Sequence, residues 1–208
     1  MSAGDVTRSM EPGGARAAAH VERARRALPS GWWGMALLVA TEATLFGSLI
    51  ATYFYLRFQV SSWPPPGVPR PSVALPLALT GMLVASAVPM AGAVRAARLG
   101  RARLAWLALA LATAIQGTYL GLQIHLFASD LHDFSPSATA YGSIYFTLLG
   151  IHHAHVALGL ALDAWLLGKL LGGLTNYRLI ATRVIALYWY FVAFIGVAVV
   201  VTQLYPSL

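Results

Sequence analysis

"YGSIYFTLLGIHHAHVALGLALDAWLLG", residues 141–168, decides the fold. The stretch holds one carboxylate, Asp163, and no lysine or arginine. A helix needs about 20 mostly apolar residues to cross a bilayer, and this run exceeds that. Four other runs do the same, at 33–56, 73–94, 104–128 and 184–205. The expectation is an all-α integral membrane bundle of five transmembrane helices. The composition agrees: of 208 residues, 58% are hydrophobic and 10% charged, whereas soluble domains carry about a quarter charged residues. A polar arm, 1–31, precedes the transmembrane domain, 32–208. The arm is long and the first apolar run is a full span, so no cleavable signal peptide is expected. There is no cysteine, which excludes disulfides, iron–sulfur clusters and thiolate-held metals.

The net charge is +7, and it comes from thirteen arginines and one lysine. These fall in the arm and in loops between apolar runs, a pattern that implies a membrane surface and no nucleic acid. Five are in the arm (Arg8, Arg16, Arg23, Arg25, Arg26). Four follow the second span (Arg95, Arg98, Arg101, Arg103), and three follow the fourth (Lys169, Arg178, Arg183). The other side has only Arg57 and Arg70. Twelve against two predicts a cytoplasmic N-terminus and an external C-terminus. It also places the loop 129–140, with Asp130, His132 and Asp133, outside. The connector "SSWPPPGVPRP" (61–71) has five prolines within 64–71 and reads as stiff and extended.

Polar side chains within a bilayer are costly, so each needs an account. In the fourth span Tyr141, Tyr145, His152, His155, Gly159 and Asp163 fall within about 80° of helical arc. They form one packing stripe that should face protein, with His153 off its centre. Gln116 and Gln123 share a face of the third span. Thr41, Thr44, Ser48 and Thr52 line the first span as a packing face, with Glu42 to one side. Glu42, Gln116, His152 and His155 lie at similar depth, and the expectation is an intramembrane polar network of these four. His125 lies too far outside to complete a bis-histidine haem site. The spacing of His152 and His155 with Glu42 is a weak metal pattern. No metal is expected, and no catalytic residue. Trp32, Trp33, Trp63 and Tyr205 read as interfacial anchors.

Several stretches together resemble the five-helix bacterial form of subunit III of haem-copper terminal oxidases. "WWGMALLVATEATLFGSLIATYFYLRF" (32–58) is similar to that family's first span, with Thr41-Glu42, Phe46-Gly47, Tyr53-Phe54 and Arg57 in place. "WPPPGVPRPSVALPL" (63–77) resembles its Pro-rich connector. "YGSIYFTLLGIHHAHVALG" (141–159) resembles its Tyr-Gly-Ser step and Gly-x-His-x-x-His-Val run, at Gly150, His152, His155 and Val156. "YWYFV" (188–192) is a weaker echo of its last span. Four positions depart from the pattern. Tyr190 and Ala193 stand where the family has His and Asp, Leu126 where it has Glu, and His153 where it has Gly.

The resemblance implies a subunit without redox centres, with haem and copper carried by partner subunits I and II of an aerobic respiratory oxidase. It implies retention of structural phospholipid and support of proton uptake, in the inner (plasma) membrane of a bacterium. The longer form of the family has two more N-terminal helices that help build a lipid cleft, and this chain lacks them. Two other readings stand beside it. One is a subunit of a quinol oxidase or of a nitric-oxide-reductase-associated complex. The other is a small proton-coupled transporter using Glu42 and His155.

The charge asymmetry generates a direct test. The chain has no cysteine, so single cysteines report cleanly. Cysteine at Ser137 should react with a membrane-impermeant maleimide in intact cells, and cysteine at Gly173 only after lysis. The reverse pattern would invert the topology.

Overall fold

A computed structural model of the protein describes residues 30–69 and 73–204. The basic residues of the arm, Arg70 and Tyr205 lie outside this range. Within it the chain is helical and has no strand. The elements are α1 (Ser30–Phe58), α2 (Ala74–Ala85), α3 (Ala87–Arg98), α4 (Ala102–Asp133), α5 (Ala140–Leu170) and α6 (Asn176–Leu204). Helices α2 and α3 are two halves of one apolar span, so five helices are long and apolar enough to cross a membrane. This is the architecture expected from the five runs.

The break at Ser86 follows from Pro89. Proline has no N–H to give the carbonyl of Ala85, and its ring crowds that carbonyl. The chain closes the gap with Ser86, whose N–H meets both Met82 O (3.1 Å) and Leu83 O (3.2 Å). Helix pairs elsewhere turn tightly. Gly100 (φ +73°) follows α3 and Gly173 (φ +85°) follows α5. Both take the left-handed conformation that ends helices at little cost for glycine.

Two boundaries differ from the sequence expectation. Helix α4 runs through Asp133, so half of the expected external loop 129–140 is helix and only 134–139 connects. The extension is held because Tyr145 donates to Asp130 Oδ2 (2.7 Å) and Phe134 packs on Phe146 (4.9 Å between rings). Helix α6 begins at Asn176, eight residues before the apolar run. Thr175 accepts from Arg178 N (3.3 Å) and caps a first turn that is polar. Hydrophobicity marks what must sit in hydrocarbon, and a capped helix continues beyond it.

Helices α2/α3, α4, α5 and α6 form a ring, each against its two neighbours and none across the diagonal. Helix α1 stands outside the ring, against α5 and α6 alone. Only Phe46 and Tyr53 of α1 are buried, whereas α5 and α6 supply most of the core. The packing face expected on α1 is open within this chain. Thr41, Thr44, Ser48 and Thr52 are exposed, and each hydroxyl donates to a carbonyl of its own helix.

The α5–α6 contact depends on a close approach at Gly159. A Cβ there would lie 2.6 Å from Trp189 Cζ2 and 2.9 Å from Cε2. Trp189 is buried and its ring cannot yield without moving the helix. Gly159→Ala should therefore destabilise the chain by about 1–3 kcal/mol, as overpacking does. The check is the thermal midpoint in detergent, with partial recovery expected when Trp189→Phe is added.

Candidate functional site

The polar stripe of α5 is where the sequence placed chemistry, and it lies against protein. Tyr141, Tyr145, His152, Gly159 and Asp163 are buried, and His155 is half-buried at the edge nearest α1. The partners along it form four separate groups.

At the seam of α1 and α5, His155 Nε2 lies 3.1 Å from Glu42 Oε2. His155 Nδ1 lies 2.8 Å from Ile151 O. A carbonyl only accepts, so Nδ1 carries a hydrogen. The pair lies near the midpoint of both helices. Phe46 sits edge-on to the imidazole (5.1 Å), and Tyr188 of α6 donates to His155 O (2.9 Å). These contacts fix the ring and the backbone behind it.

Inside the ring, His152 Nε2 meets Tyr119 OH at 3.1 Å, and Gln123 Nε2 donates to the same oxygen at 3.3 Å. Gln123 fills the acceptor side of that hydroxyl. Tyr119 thus links His152 and Gln123 through one hydroxyl. His153 turns the other way, with its ring 5.5 Å from that of Phe127 on α4. One position of α6 allows His152 its place: a Cβ on Gly196 would stand 3.2 Å from His152 Cε1.

Nearer the arginine-bearing end, Asp163 is fully buried. Gln116 serves it when its amide nitrogen is turned towards acceptors. It then donates to Asp163 Oδ2 (2.9 Å) and Ala112 O (3.2 Å), and its oxygen accepts from Ser86 Oγ (3.2 Å). Thr113 Oγ1 is 3.3 Å from the same carboxylate oxygen. Ser86 shares its hydroxyl with Leu83 O (2.6 Å). Trp189 lies beside Asp163, yet its indole N–H makes no hydrogen bond of good geometry. Carboxylate, amide and two hydroxyls so join α5, α4 and the break between α2 and α3.

The fourth group closes the far end, where Tyr145 bonds Asp130 and Gln203 of α6 donates to Tyr145 O (3.4 Å). Tyr141 stacks on Tyr145 (5.6 Å). Trp63 of the connector lies edge-on to Tyr141 (5.0 Å) and to Tyr53 of α1 (5.4 Å). Trp63 is thus half-buried against the edge of the core.

The four residues expected to share one network are divided among three sets. Glu42 is with His155, His152 with Tyr119 and Gln123, and Gln116 with Asp163. Sequence reasoning placed Asp163 only on the packing stripe and did not single out Tyr119, Thr113 or Ser86. A signal for Thr113 and Tyr119 existed, because Thr113, Gln116, Tyr119 and Gln123 recur at helical spacing along α4. Among the described residues no three histidine or carboxylate side chains come close enough to hold one metal ion.

This arrangement puts a carboxylate–imidazole pair on the seam of the first span and the fourth, the two stretches that carry the strongest sequence motifs. The family model for cytochrome c oxidase subunit III matches residues 8–207. The chain belongs to that family. Cytochrome c oxidase subunit 3 of Bacillus subtilis is 32% identical over 169 residues, covering 78% of each chain. Cytochrome bo(3) ubiquinol oxidase subunit 3 of Pseudomonas aeruginosa is 28% identical over 175 residues, covering 81% of this chain and 80% of that one. Cytochrome c oxidase subunit 3 of Gallus gallus is 30% identical over 169 residues, but this chain spans only 63% of its length. A five-helix member of the subunit III family is what the quoted motifs implied.

The paired groups should differ in what they tolerate. Asp163→Asn keeps the shape and an acceptor for Gln116, whereas Asp163→Leu takes one acceptor from the Gln116 amide, which keeps Ala112 O, while Thr113 keeps Leu109 O. A buried unsatisfied polar group costs about 1–3 kcal/mol. Leu at 163 should therefore lower the thermal midpoint more than Asn does, as measured on the purified chain.

Proposed function

We propose that this chain is the accessory subunit III of an aerobic respiratory haem-copper oxidase in the inner membrane of a bacterium. It packs against partner subunits I and II, which carry the haem and copper, and it retains structural phospholipid. Its contribution is to sustain proton uptake and prolong the working life of the catalytic subunit. The observation that carries this reading is the Glu42–His155 pair. It sits near the middle of both helices, joins them at 3.1 Å, and leaves a quarter of the Glu42 side chain exposed. Such a pair can steady a seam next to a partner without binding a metal. The similarity extends to subunits of a cytochrome c oxidase and of a ubiquinol oxidase. The role proposed here, which handles no electrons, is the same with either donor.

Two outcomes test the reading in the assembled oxidase. His152→Ala with His155→Ala should leave haem and copper per complex unchanged while weakening retention of this subunit in detergent. Loss of one metal equivalent from intact complex would overturn the accessory role. Glu42→Gln keeps the shape and a partner for His155, so assembly should persist. If Glu42 serves proton uptake, the complex should make fewer turnovers before it inactivates. Unchanged endurance would confine Glu42 to packing.

A further inference from the structure

Helices α1 and α2/α3 both lie against α6 but do not touch each other. Between them runs a groove whose floor is one face of α6. Tyr190, Phe194, Val197 and Val201 recur at spacings of four, three and four and are all exposed, Phe194 to 70%. At the arginine-bearing end the groove widens into a cleft of about 240 Å³, bounded by Trp32 of α1, Arg98 of α3 and Arg183 of α6. Leu187 and Tyr190 continue from its wall into the groove. Among the described residues neither guanidinium has a carboxylate partner; the one ion pair there is Glu42 with His155.

We infer that this cleft and groove bind an anionic phospholipid, with the headgroup phosphate between Arg98 and Arg183 and an acyl chain along the exposed face of α6. The inference rests on the lipid-retaining role proposed above and gives it a place and a headgroup class. Guanidinium groups suit phosphate oxygens through paired charge-assisted bonds. Trp32 and Tyr190 have the amphipathic rings that favour the level of lipid headgroups. The apolar continuation argues against a soluble anion, which would have no use for it. The projecting Tyr190 and Phe194 argue against a partner helix, because close helix packing in membranes favours small residues. A flexible chain fits between bulky side chains.

The test uses the whole oxidase complex, purified in mild detergent and weighed by native mass spectrometry with lipid extraction. Wild type should keep one anionic phospholipid per chain that Arg98→Gln/Arg183→Gln loses, with affinity down at least about tenfold. Arg95→Gln/Arg101→Gln removes the same charge outside the cleft and should keep the lipid. After delipidation, phosphatidylglycerol should restore the bound mass, phosphatidylcholine should not, and inorganic phosphate should not compete. Equal loss in the control variant, or equal rebinding of phosphatidylcholine, would overturn the proposal. A photo-cross-linker at Phe194 gives a readout that leaves both arginines in place. It should yield lipid adducts, and protein adducts would make the groove a subunit interface instead. Wild type that retains other lipids, with no difference in the double variant, would sink only this site. Wild type that retains no lipid would sink the lipid-holding role as well.

Discussion

Asp163 has no water to turn to, and much of the bundle is arranged around that. A carboxyl inside a bilayer must be met by protein, and here it is met by Gln116 and Thr113. Gln116 in turn reaches Ser86, the residue at which Pro89 divides the second span. The break frees local backbone, and the freed segment presents a hydroxyl to the interior. On the α6 side Trp189 fills the space that Gly159 leaves open. Polar satisfaction and close packing meet within a few residues. This helps explain why α2/α3, α4, α5 and α6 form a ring while α1, which has no part in the cluster, is attached outside.

The other polar groups follow the same constraint at different depths. Tyr119 mediates between His152 and Gln123, and Asp130 is held by Tyr145. Each set couples α5 to α4, and Tyr188 and Gln203 couple α5 to α6. Among the described residues the seam of α1 with the ring helices has only the Glu42–His155 pair as a side-chain polar link. That makes α1 the helix whose placement depends most on one hydrogen-bonded contact.

Much of the fold was legible in the sequence. Hydrophobic length gives the five spans, because hydrocarbon sets a minimum that few soluble helices meet. The stripe on α5 was legible from helical spacing alone. The division of Glu42, Gln116, His152 and His155 among three sets was not. Depth places residues at one level of a bilayer but says nothing about which helix lies beside which. Gln116 and His155 share a level, yet the helices that bear Gln116 and Glu42 never touch. The start of α6 was missed because composition changes where hydrocarbon ends, whereas Thr175 and the glycine turn set where the helix starts. Trp63 looked like an anchor because tryptophan is common at interfaces. Its place on Tyr53 and Tyr141 needs the third dimension.

Trp63 also changes what the α1 seam must supply. Helix α1 is joined to the ring by a proline-rich segment, residues 59–73, and Trp63 pins that segment onto α1 and α5 together. A contact closed within one tethered chain acts at high effective concentration, set by the length and stiffness of the tether. The Glu42–His155 pair therefore does not have to capture a free helix from the membrane. It has only to choose the rotation of a helix already delivered to its site. A single hydrogen-bonded contact is enough for that choice.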